Sequence, residues 1–387
     1  LFEKKDEEQS ALSVIQTLIV STATRVGMGN LVGVVAAISA GGAGAVFWMW
    51  VTALIGSSTA FIEATLSQIY KEKDPLYGGY RGGPAYYIHR YFEEKSGKKK
   101  RYVLLSVLFA ISGLICWCGI SQVISNSVSS AFQNAFHVPP LATTLVLTAI
   151  AAVIVLRKNA TVKSLDVMVP IMAVCYFVLT VGVVLFNLPK LPAVFGRIFA
   201  EAFGLRQAAA GGFGAVLMNG VKRGLFSNEA GLGSTPHAHA LAKVERPQDQ
   251  GAVAILGVFV DTFVVLTLTG LVLITSGLIP QGMTGTVLTQ AAFSQAFGGF
   301  GPIFIAVCMF FFAFSTIIGW DFFGQSNFKA LFGEKLLPVY SIIVVAFILV
   351  GSTLKVDLVW ALADLFNGLM AVPNLLALLA LAGVVVA

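Results

Sequence analysis

A short stretch near the N-terminus, TATRVGMGNLVG at residues 22–33, combines residue types that are rare inside a membrane-spanning helix. It lies in a long apolar run, yet it holds the cation Arg25, the amide Asn30 and three glycines. Each glycine costs a helix interior about 1 kcal/mol, and a cation near the bilayer centre costs about 2.5–3.5 kcal/mol. If the helix unwinds here, its freed N–H groups can bind an anion such as a carboxylate, and its freed carbonyls can bind a cation.

A second polar interruption, KRGLFSNEAGLGS at residues 222–234, divides the sixth of ten apolar runs. Unpaired backbone groups at membrane depth are tolerated only where they line a cavity or meet a ligand. The two interruptions are five apolar runs apart. Because an odd number of membrane crossings ends on the opposite side, a second repeat of five spans would enter the membrane with inverted orientation. Two broken helices at matching positions of two halves indicate a secondary transporter with its site at the midplane.

Close helix packing is the alternative explanation of the first stretch. Gly29 and Gly33 form a GxxxG motif, which brings two helices into contact. This alternative explains the glycines, but it explains neither Arg25 nor the NEAG segment at 228–231. A nucleotide-binding loop is excluded, because GMGNLVG follows a helix-length apolar run rather than a strand.

The composition predicts an integral membrane protein. The chain has 387 residues, 57% hydrophobic and 11% charged, whereas soluble domains carry about 25% charged residues. The four cysteines all lie in apolar runs, and their spacing matches neither disulfide frameworks nor zinc sites. A helical span needs about 20 apolar residues, which predicts ten spans. They run over 11–40, 43–70, 103–133, 139–157, 162–187, 208–243, 250–277, 300–330, 335–353 and 356–387. The piece 82–92 within the connection 71–102 is predicted to be a short interfacial helix, and 194–203 is another short amphipathic piece before the sixth span.

The placement of Lys and Arg predicts the orientation. With ten spans, the N-terminal tail and the connections after spans two, four, six and eight lie on one side, and they hold most of these residues. The connection 71–102 is the most basic of them and includes the run KKKR at 98–101. By the positive-inside rule this side is cytoplasmic, so we expect a multi-pass protein of the cytoplasmic membrane whose N-terminal tail and 71–102 loop are cytoplasmic. The basic run is a topology signal, and contact with anionic lipid is a further reading of it.

Several stretches resemble the alanine/glycine:cation (sodium:amino acid) symporter family, which shares the leucine-transporter fold. They are spread over nearly the whole chain: ATRVGMGNLVGV, GGAGAVFWMW, RGGPAYYI, RGLFSNEAGLGS, DTFVVLTLTGLV, FAFSTIIGW and NGLMAVPNLLALL. The resemblance implies an all-α transporter with one domain over 1–387, divided into inverted five-helix repeats at 10–187 and 193–387. It also implies broken helices one and six, and a further helix before Leu1.

The resemblance also implies site residues. The N–H groups of Met28 and Gly29 would bind a substrate carboxylate, and the carbonyls of Ala23 and Val26 would bind sodium. Phe312, Ser315 and Thr316 match the other half of the ion site, and their i, i+3, i+4 spacing puts them on one helix face. The residues expected around the substrate are Gly119, Gln122, Ile124, Phe226, Ser227 and Trp320.

Three positions depart from the family pattern. Met28 replaces the usual threonine of G-T-G-N, Ile124 replaces a glutamine, and Asp321 replaces a small hydroxyl residue. Gln122 lies two residues before Ile124, about 200° round the helix, and so does not simply replace that glutamine. A small neutral amino acid of the alanine or glycine class is the expected substrate.

Intramembrane ionisable residues are functional candidates by default. Arg25 is predicted to pair with Asp261 or Glu229, either as part of a gate with Asn30 or as a fixed structural pair. Glu63 is predicted to belong to a structural network. His237 and His239 point about 200° apart on a helix, which does not suit one metal ion, and we interpret them as surface or packing residues.

We therefore expect sodium-coupled symport of a small neutral amino acid by alternating access, with sodium as the co-transported ion and no organic cofactor. No catalytic motif or nucleic-acid-binding pattern is found, so the chain is not expected to be an enzyme, and its partners would be substrate and membrane lipid. Two alternatives remain: a proton-coupled or exchange carrier on the same fold, and a channel or non-transporting binding protein. The sequence does not specify the oligomeric state.

Overall fold

The computed structural model describes residues 17–18, 25, 27–73, 79–156, 161–204, 212–279, 283 and 285–386. Its described elements are almost all helices. The first half of the chain contains α1 (Gly29–Gly41), α2 (Gly44–Ile69), α3 (Pro84–Ser96), α4 (Leu104–Phe136), α5 (Pro140–Leu156) and α6 (Thr161–Phe186). The second half contains α7 (Leu191–Ala202), α8 (Gly212–Asn228), α9 (Pro236–His239), α10 (Pro247–Ser276), α11 (Gly285–Phe297), α12 (Phe300–Phe332), α13 (Leu337–Gly351) and α14 (Val356–Val386). A two-residue antiparallel pair, β1 (Glu72–Lys73) and β2 (Tyr80–Arg81), precedes α3.

The described helices agree closely with the predicted spans. In the described part of the chain, five helices are long and apolar enough to cross a membrane by themselves: α2, α4, α10, α12 and α14. α6 and α7 form a sixth candidate, bent by 68°, while α1, α5 and α13 are shorter apolar helices. The predicted short pieces correspond to α3 and α7. α11 and the small β pair were not predicted.

Local sequence explains where the short helix α3 begins and ends. Gly83 has φ +115° and is followed by Pro84 at the first helical position, where the missing N–H of proline costs nothing. Gly97 closes the helix in the left-handed conformation, with φ +62°, as is common one residue past a helix end.

The core lies around α12. In its most apolar stretch 78% of the residues are buried, against 39–50% for the other four long helices. α12 packs against α4, which also packs against α13 and α14. α8 packs against α1 and α2, and α10 packs against α2. α1 and α8 thereby pack against each other and against both α2 and α10.

Two helices contain wide π-helical turns, Gly29–Gly33 at the start of α1 and Val260–Leu266 within α10. Such turns displace a helix's register and frequently mark functional sites. These two turns contact one another, and they contain Asn30 and Asp261.

Candidate functional site

The two broken segments touch at Gly29 and Ser227. A Cβ atom at Gly29 would lie 2.8 Å from the Cα atom of Ser227 and 3.3 Å from its Oγ. Because a 2.8 Å contact with backbone is too short for carbon atoms, only glycine allows this approach. Gly33 lies one turn further along α1, and a Cβ there would meet Phe226 at 3.5 Å, an ordinary contact.

Asp261 lies at this junction, fully buried on α10. Its carboxylate accepts hydrogen bonds from Asn30 Nδ2 at 2.9 Å, from Ser227 Oγ at 3.1–3.2 Å and from Thr262 Oγ1 at 2.9 Å. Asp261 is thus the group that joins α1, α8 and α10.

The donors around Asp261 are all neutral. Among the described residues, Asp261 forms no ion pair with Lys or Arg, and Arg25 acts on it only through longer-range attraction. Burying a carboxylate is costly unless a positive charge compensates it. The arrangement is therefore suited to a cation or an ammonium group.

Asn30 is oriented by the backbone of the first break. Its Oδ1 accepts the Gly27 N–H at 3.1 Å, which leaves its Nδ2 to donate to the side chain and to the carbonyl of Asp261, the latter at 3.1 Å. Because both ends of the amide are bonded, the side chain has one orientation. Asn30 therefore couples the bend at Gly27 to Asp261.

The second break lies slightly later than the sequence indicated. α8 continues through GLFSN to Asn228, so Phe226 and Ser227 lie in its last turn rather than in unwound chain. The interruption is 229–235, where Glu229, Gly231 and Gly233 have φ of +55°, +89° and +83°. A positive φ is unfavourable for a non-glycine residue, so the conformation at Glu229 has to be held by its contacts.

Glu229 is held by two such contacts. Its carboxylate accepts hydrogen bonds from Ser234 Oγ at 2.5 Å and from Trp320 Nε1 at 3.2 Å. Trp320 in turn stacks on Trp117 of α4, with ring centroids 6.2 Å apart and planes at 7°. The second break is thereby connected to α12 and α4.

Arg25 is fully buried beside the same break. Its guanidinium donates to Thr235 Oγ1 at 2.9 Å and to the Ala254 carbonyl at 3.4 Å. The predicted ion pair with Asp261 or Glu229 is not formed between these described residues. Both carboxylates attract Arg25 only at longer range, because its guanidinium bonds to Thr235 and to the Ala254 carbonyl instead. Gly257 makes room for it, since a Cβ there would collide with the guanidinium.

Glu63 belongs to a buried network that binds the second break. Its carboxylate accepts the Gly231 N–H at 3.2 Å and a hydrogen bond from Asn374 Nδ2. Asn374 also donates to the Gly231 carbonyl at 3.0 Å and accepts from Tyr87 OH at 2.5 Å. The network therefore joins α2, α3 and α14 to the break.

Phe226 packs edge-on against Trp360 of α14, with ring centroids 5.1 Å apart. The guanidinium of Arg223 lies 4.1 Å from the centre of the same tryptophan ring and forms a two-point ion pair with Asp364 at 2.8 and 2.9 Å. Phe226 is thus covered by a layer that links α8 to α14.

The described part of the predicted ion site lies on α12. Ser315 Oγ donates to the Phe312 carbonyl at 3.0 Å. Thr316 is 4% exposed, and its buried Oγ1 has no hydrogen-bond partner among the described residues. Ala23 and Val26, the other predicted contributors, lie outside the described residues.

The predicted substrate residues of α4 have different surroundings. Gly119 faces α14, where a Cβ would lie 3.0 Å from the ring of Phe366 and 3.4 Å from Ala363. Ile124 is fully buried, and Gln122 Oε1 is buried without a partner among the described residues. Met28 is buried at the start of α1.

His237 and His239 are packing residues rather than surface residues. Both are buried, and the His237 ring lies between Phe109 and Phe323. No group of three potential metal-binding side chains occurs in the described part of the chain.

The contact residues Thr262, Asn374, Gly257 and Trp117 were missed from the sequence. Asn374 offered a signal, because an amide within an apolar span is costly and needs a partner. Thr262 follows Asp261 directly and could have been found with it. No sequence feature marks Gly257 or Trp117, since only tertiary packing gives them their roles.

The chain is similar to known proteins over its whole length. The family model described as "Sodium:alanine symporter family" matches residues 1–387. The amino-acid carrier protein AlsT of Bacillus subtilis is 40% identical over 386 residues, covering 98% of this chain and 80% of the relative. The sodium/alanine symporter AgcS of Methanococcus maripaludis is 40% identical over 396 residues, covering 100% of this chain and 85% of the relative. The probable sodium/glutamine symporter GlnT of Bacillus subtilis is 42% identical over 383 residues, covering 97% of this chain and 78% of the relative.

Solved structures show the same fold. MhsT in complex with L-phenylalanine superimposes with a TM-score of 0.65 at 16% identity, over 95% of this chain and 89% of that one. A manganese transporter of Eremococcus coleocola superimposes with a TM-score of 0.57 at 12% identity, over 99% of this chain and 79% of that one. Both are transporters of the leucine-transporter fold, which confirms the predicted fold class. The chain belongs to the sodium:alanine symporter family, and it is a multi-pass membrane transporter of amino acids rather than an enzyme.

Proposed function

We propose that this protein couples the entry of sodium to that of a small neutral amino acid, of the alanine or glycine class, by alternating access. The observation that carries the proposal is Asp261, a buried carboxylate with neutral donors where the start of α1 meets the last turn of α8. A cation beside it would compensate its charge. The relatives' names, sodium/alanine symporter and sodium/glutamine symporter, support sodium as the coupling ion and an amino acid, whose ammonium group is also a cation, as its companion.

The substrate would lie against the start of α1. The N–H groups of Met28 and Gly29 point out of a helix N-terminus, which is favourable for a carboxylate. Phe226, Ser227 and Trp320 would enclose the side chain, and the bulk of Met28 and Ile124 favours a small one.

The coupling ion would bind between the two repeats, which we place at 10–187 and 193–387. Phe312, Ser315 and Thr316 would supply oxygen ligands from α12, and Ala23 and Val26 would supply carbonyls from the first broken helix. Sodium entering with a zwitterion moves one net charge, which gains about 2.3 kcal/mol per 100 mV of membrane potential.

Uptake into proteoliposomes tests this function. A panel of radiolabelled amino acids is offered with an inward sodium gradient, and again with choline replacing sodium at the same pH. Alanine or glycine should accumulate only with sodium. Unchanged uptake without sodium would point instead to proton coupling or exchange, which the name of one relative, a putative sodium/proton-dependent alanine carrier, also suggests. Flux far above carrier turnover, or binding without uptake, would favour a channel or a binding protein.

The hydroxyls of α12 can be tested separately. Replacing Ser315 by Ala together with Thr316 by Val should raise the sodium concentration for half-maximal uptake between about tenfold and a hundredfold, since each lost ligand worth about 1.4 kcal/mol raises it about tenfold. The ranking of amino acids should not change. Ser326→Ala, which removes a hydroxyl from the same helix at its contact with Gly82, is the matched control. An unaltered sodium response in the double variant would exclude these hydroxyls from the ion site.

A further inference from the structure

A dense basic patch lies between α3 and α4. It consists of Lys95, Lys98, Lys99, Lys100 and Arg101, and residues 94–101 are all exposed. None of the five side chains forms a salt bridge with a described residue at 4 Å or less. The nearby acids Glu93 and Glu94 offset only part of the charge, so the patch has a net positive charge.

The patch is ordered rather than a loose tail. The Lys100 backbone N–H donates to Glu93 Oε1 at 2.9 Å, and Ser96 Oγ donates to the Lys98 carbonyl at 3.3 Å. The bond from Lys100 lowers the pKa of Glu93, so this anchor stays ionised at neutral pH. The loop is therefore folded back on the end of α3 with its cations outward.

Aromatic rings lie under these cations. Lys95 Nζ is 5.8 Å from the ring of Tyr91, and Lys100 Nζ is 5.9 Å from the ring of Phe92. The Arg101 guanidinium is 5.4 Å from the ring of Tyr102, which is 53% exposed. Aromatic and basic side chains together are typical of the boundary between hydrocarbon and headgroups.

The lipid-facing surface of α4 starts directly after the patch. Its exposed apolar residues recur at helical spacing along one face: Leu104, Leu108, Ile111 and Ile115. Since Leu104 is 75% exposed and follows Arg101 by three residues, the cations lie at the level where α4 enters the hydrocarbon. Phosphate groups of lipids occupy that level.

We propose that Lys95, Lys98, Lys99, Lys100 and Arg101 form a docking surface for the phosphate headgroups of anionic membrane lipids, and that their occupancy raises the transport rate. α3 connects this surface to the second break. Tyr87 OH bonds to Asn374, which holds Gly231, and Gly83 lies against the His237 ring. Fixing the end of α3 at the membrane surface therefore stabilises the geometry of the break.

The test compares the native protein with three purified variants. One has Lys98, Lys99, Lys100 and Arg101 all replaced by Gln. A second keeps the charges, with Lys98, Lys99 and Lys100 replaced by Arg and Arg101 by Lys. The third carries Lys335→Gln and Lys355→Gln, which remove two exposed cations elsewhere. Retained lipid is measured by native mass spectrometry after exposure to phosphatidylglycerol, and uptake is measured in vesicles of phosphatidylcholine with rising phosphatidylglycerol.

The native protein, the charge-keeping variant and the control should retain phosphatidylglycerol, and their uptake should rise with its fraction. The Gln variant should bind it roughly tenfold or more weakly, since each basic residue near an anionic surface contributes appreciably, and its uptake should stay flat. Inorganic phosphate at matched concentration should not replace the lipid; if it does, the site binds free phosphate instead. Equal lipid retention in the Gln variant would overturn the docking surface. Loss of retention with an unchanged uptake response would overturn its effect on transport.

Discussion

Replacing Asp261 by Asn is expected to lower sodium-driven uptake between about tenfold and a hundredfold. The substitution keeps the shape of the side chain but removes its charge, and a hydrogen bond to a charged group is worth about 1.5–3 kcal/mol. It also turns one of the two oxygens into a donor, where Asn30, Ser227 and Thr262 already donate. Initial rates of amino-acid uptake in proteoliposomes, per amount of monodisperse protein, measure the effect.

Asp321→Asn is the matched control for that substitution. Asp321 is also buried, but it lies on α12, where Oδ2 accepts from Gln325 at 2.9 Å and its backbone carbonyl accepts from Tyr340 at 3.4 Å. It contacts neither break through these bonds, so uptake should fall at most a few-fold. Equal losses in both variants would mean that the effect does not depend on the position of Asp261 between α1 and α8. Full uptake in the Asp261 variant would remove this residue from the proposed ion and substrate site.

Much of the fold was predictable because membrane spans have strong local signals. The boundaries of α2, α4 and α12 follow from runs of apolar residues of the required length. The interfacial helix α3 was visible from its turn residues and its amphipathic composition.

The second break was placed too early for a physical reason. The polar residues of GLFSNEAG suggested unwinding throughout, but a polar residue can remain helical when a neighbouring helix supplies its partner. Ser227 does so, because its hydroxyl donates to Asp261. The chain leaves the helix only at Glu229, where a positive φ begins.

The partners of the site residues depend on contacts that are distant in sequence. Arg25 was expected to find a carboxylate, yet it donates to Thr235, 210 residues away, and to the backbone of α10. From the sequence alone, every acidic residue of the membrane-spanning segments is an equally plausible partner for Arg25. The actual partner is decided by where Gly257 leaves space for the guanidinium.

Gly29→Ala is expected to abolish most transport while leaving the protein folded. The added Cβ would lie 2.8 Å from the Ser227 Cα, so one broken segment must move away from the other. Both segments are tied to Asp261 through Asn30 and Ser227, and the displacement therefore disturbs these bonds. A misplacement of about 1 Å in a positioned site can cost a hundredfold in rate, and overpacking typically costs about 1–3 kcal/mol of stability.

Gly33→Ala separates this steric effect from a general effect of losing glycine. Both substitutions restrict the unfolded chain alike, and both lie in the same wide turn, but the Cβ at position 33 meets Phe226 at an ordinary 3.5 Å. Uptake in the Gly33 variant should stay within a few-fold of the native rate. Ser227→Gly should not rescue Gly29→Ala, since the nearest atom is a backbone Cα that glycine retains. Rescue by Ser227→Gly, or equal losses at both glycines, would show that the contact between Gly29 and the last turn of α8 does not limit transport.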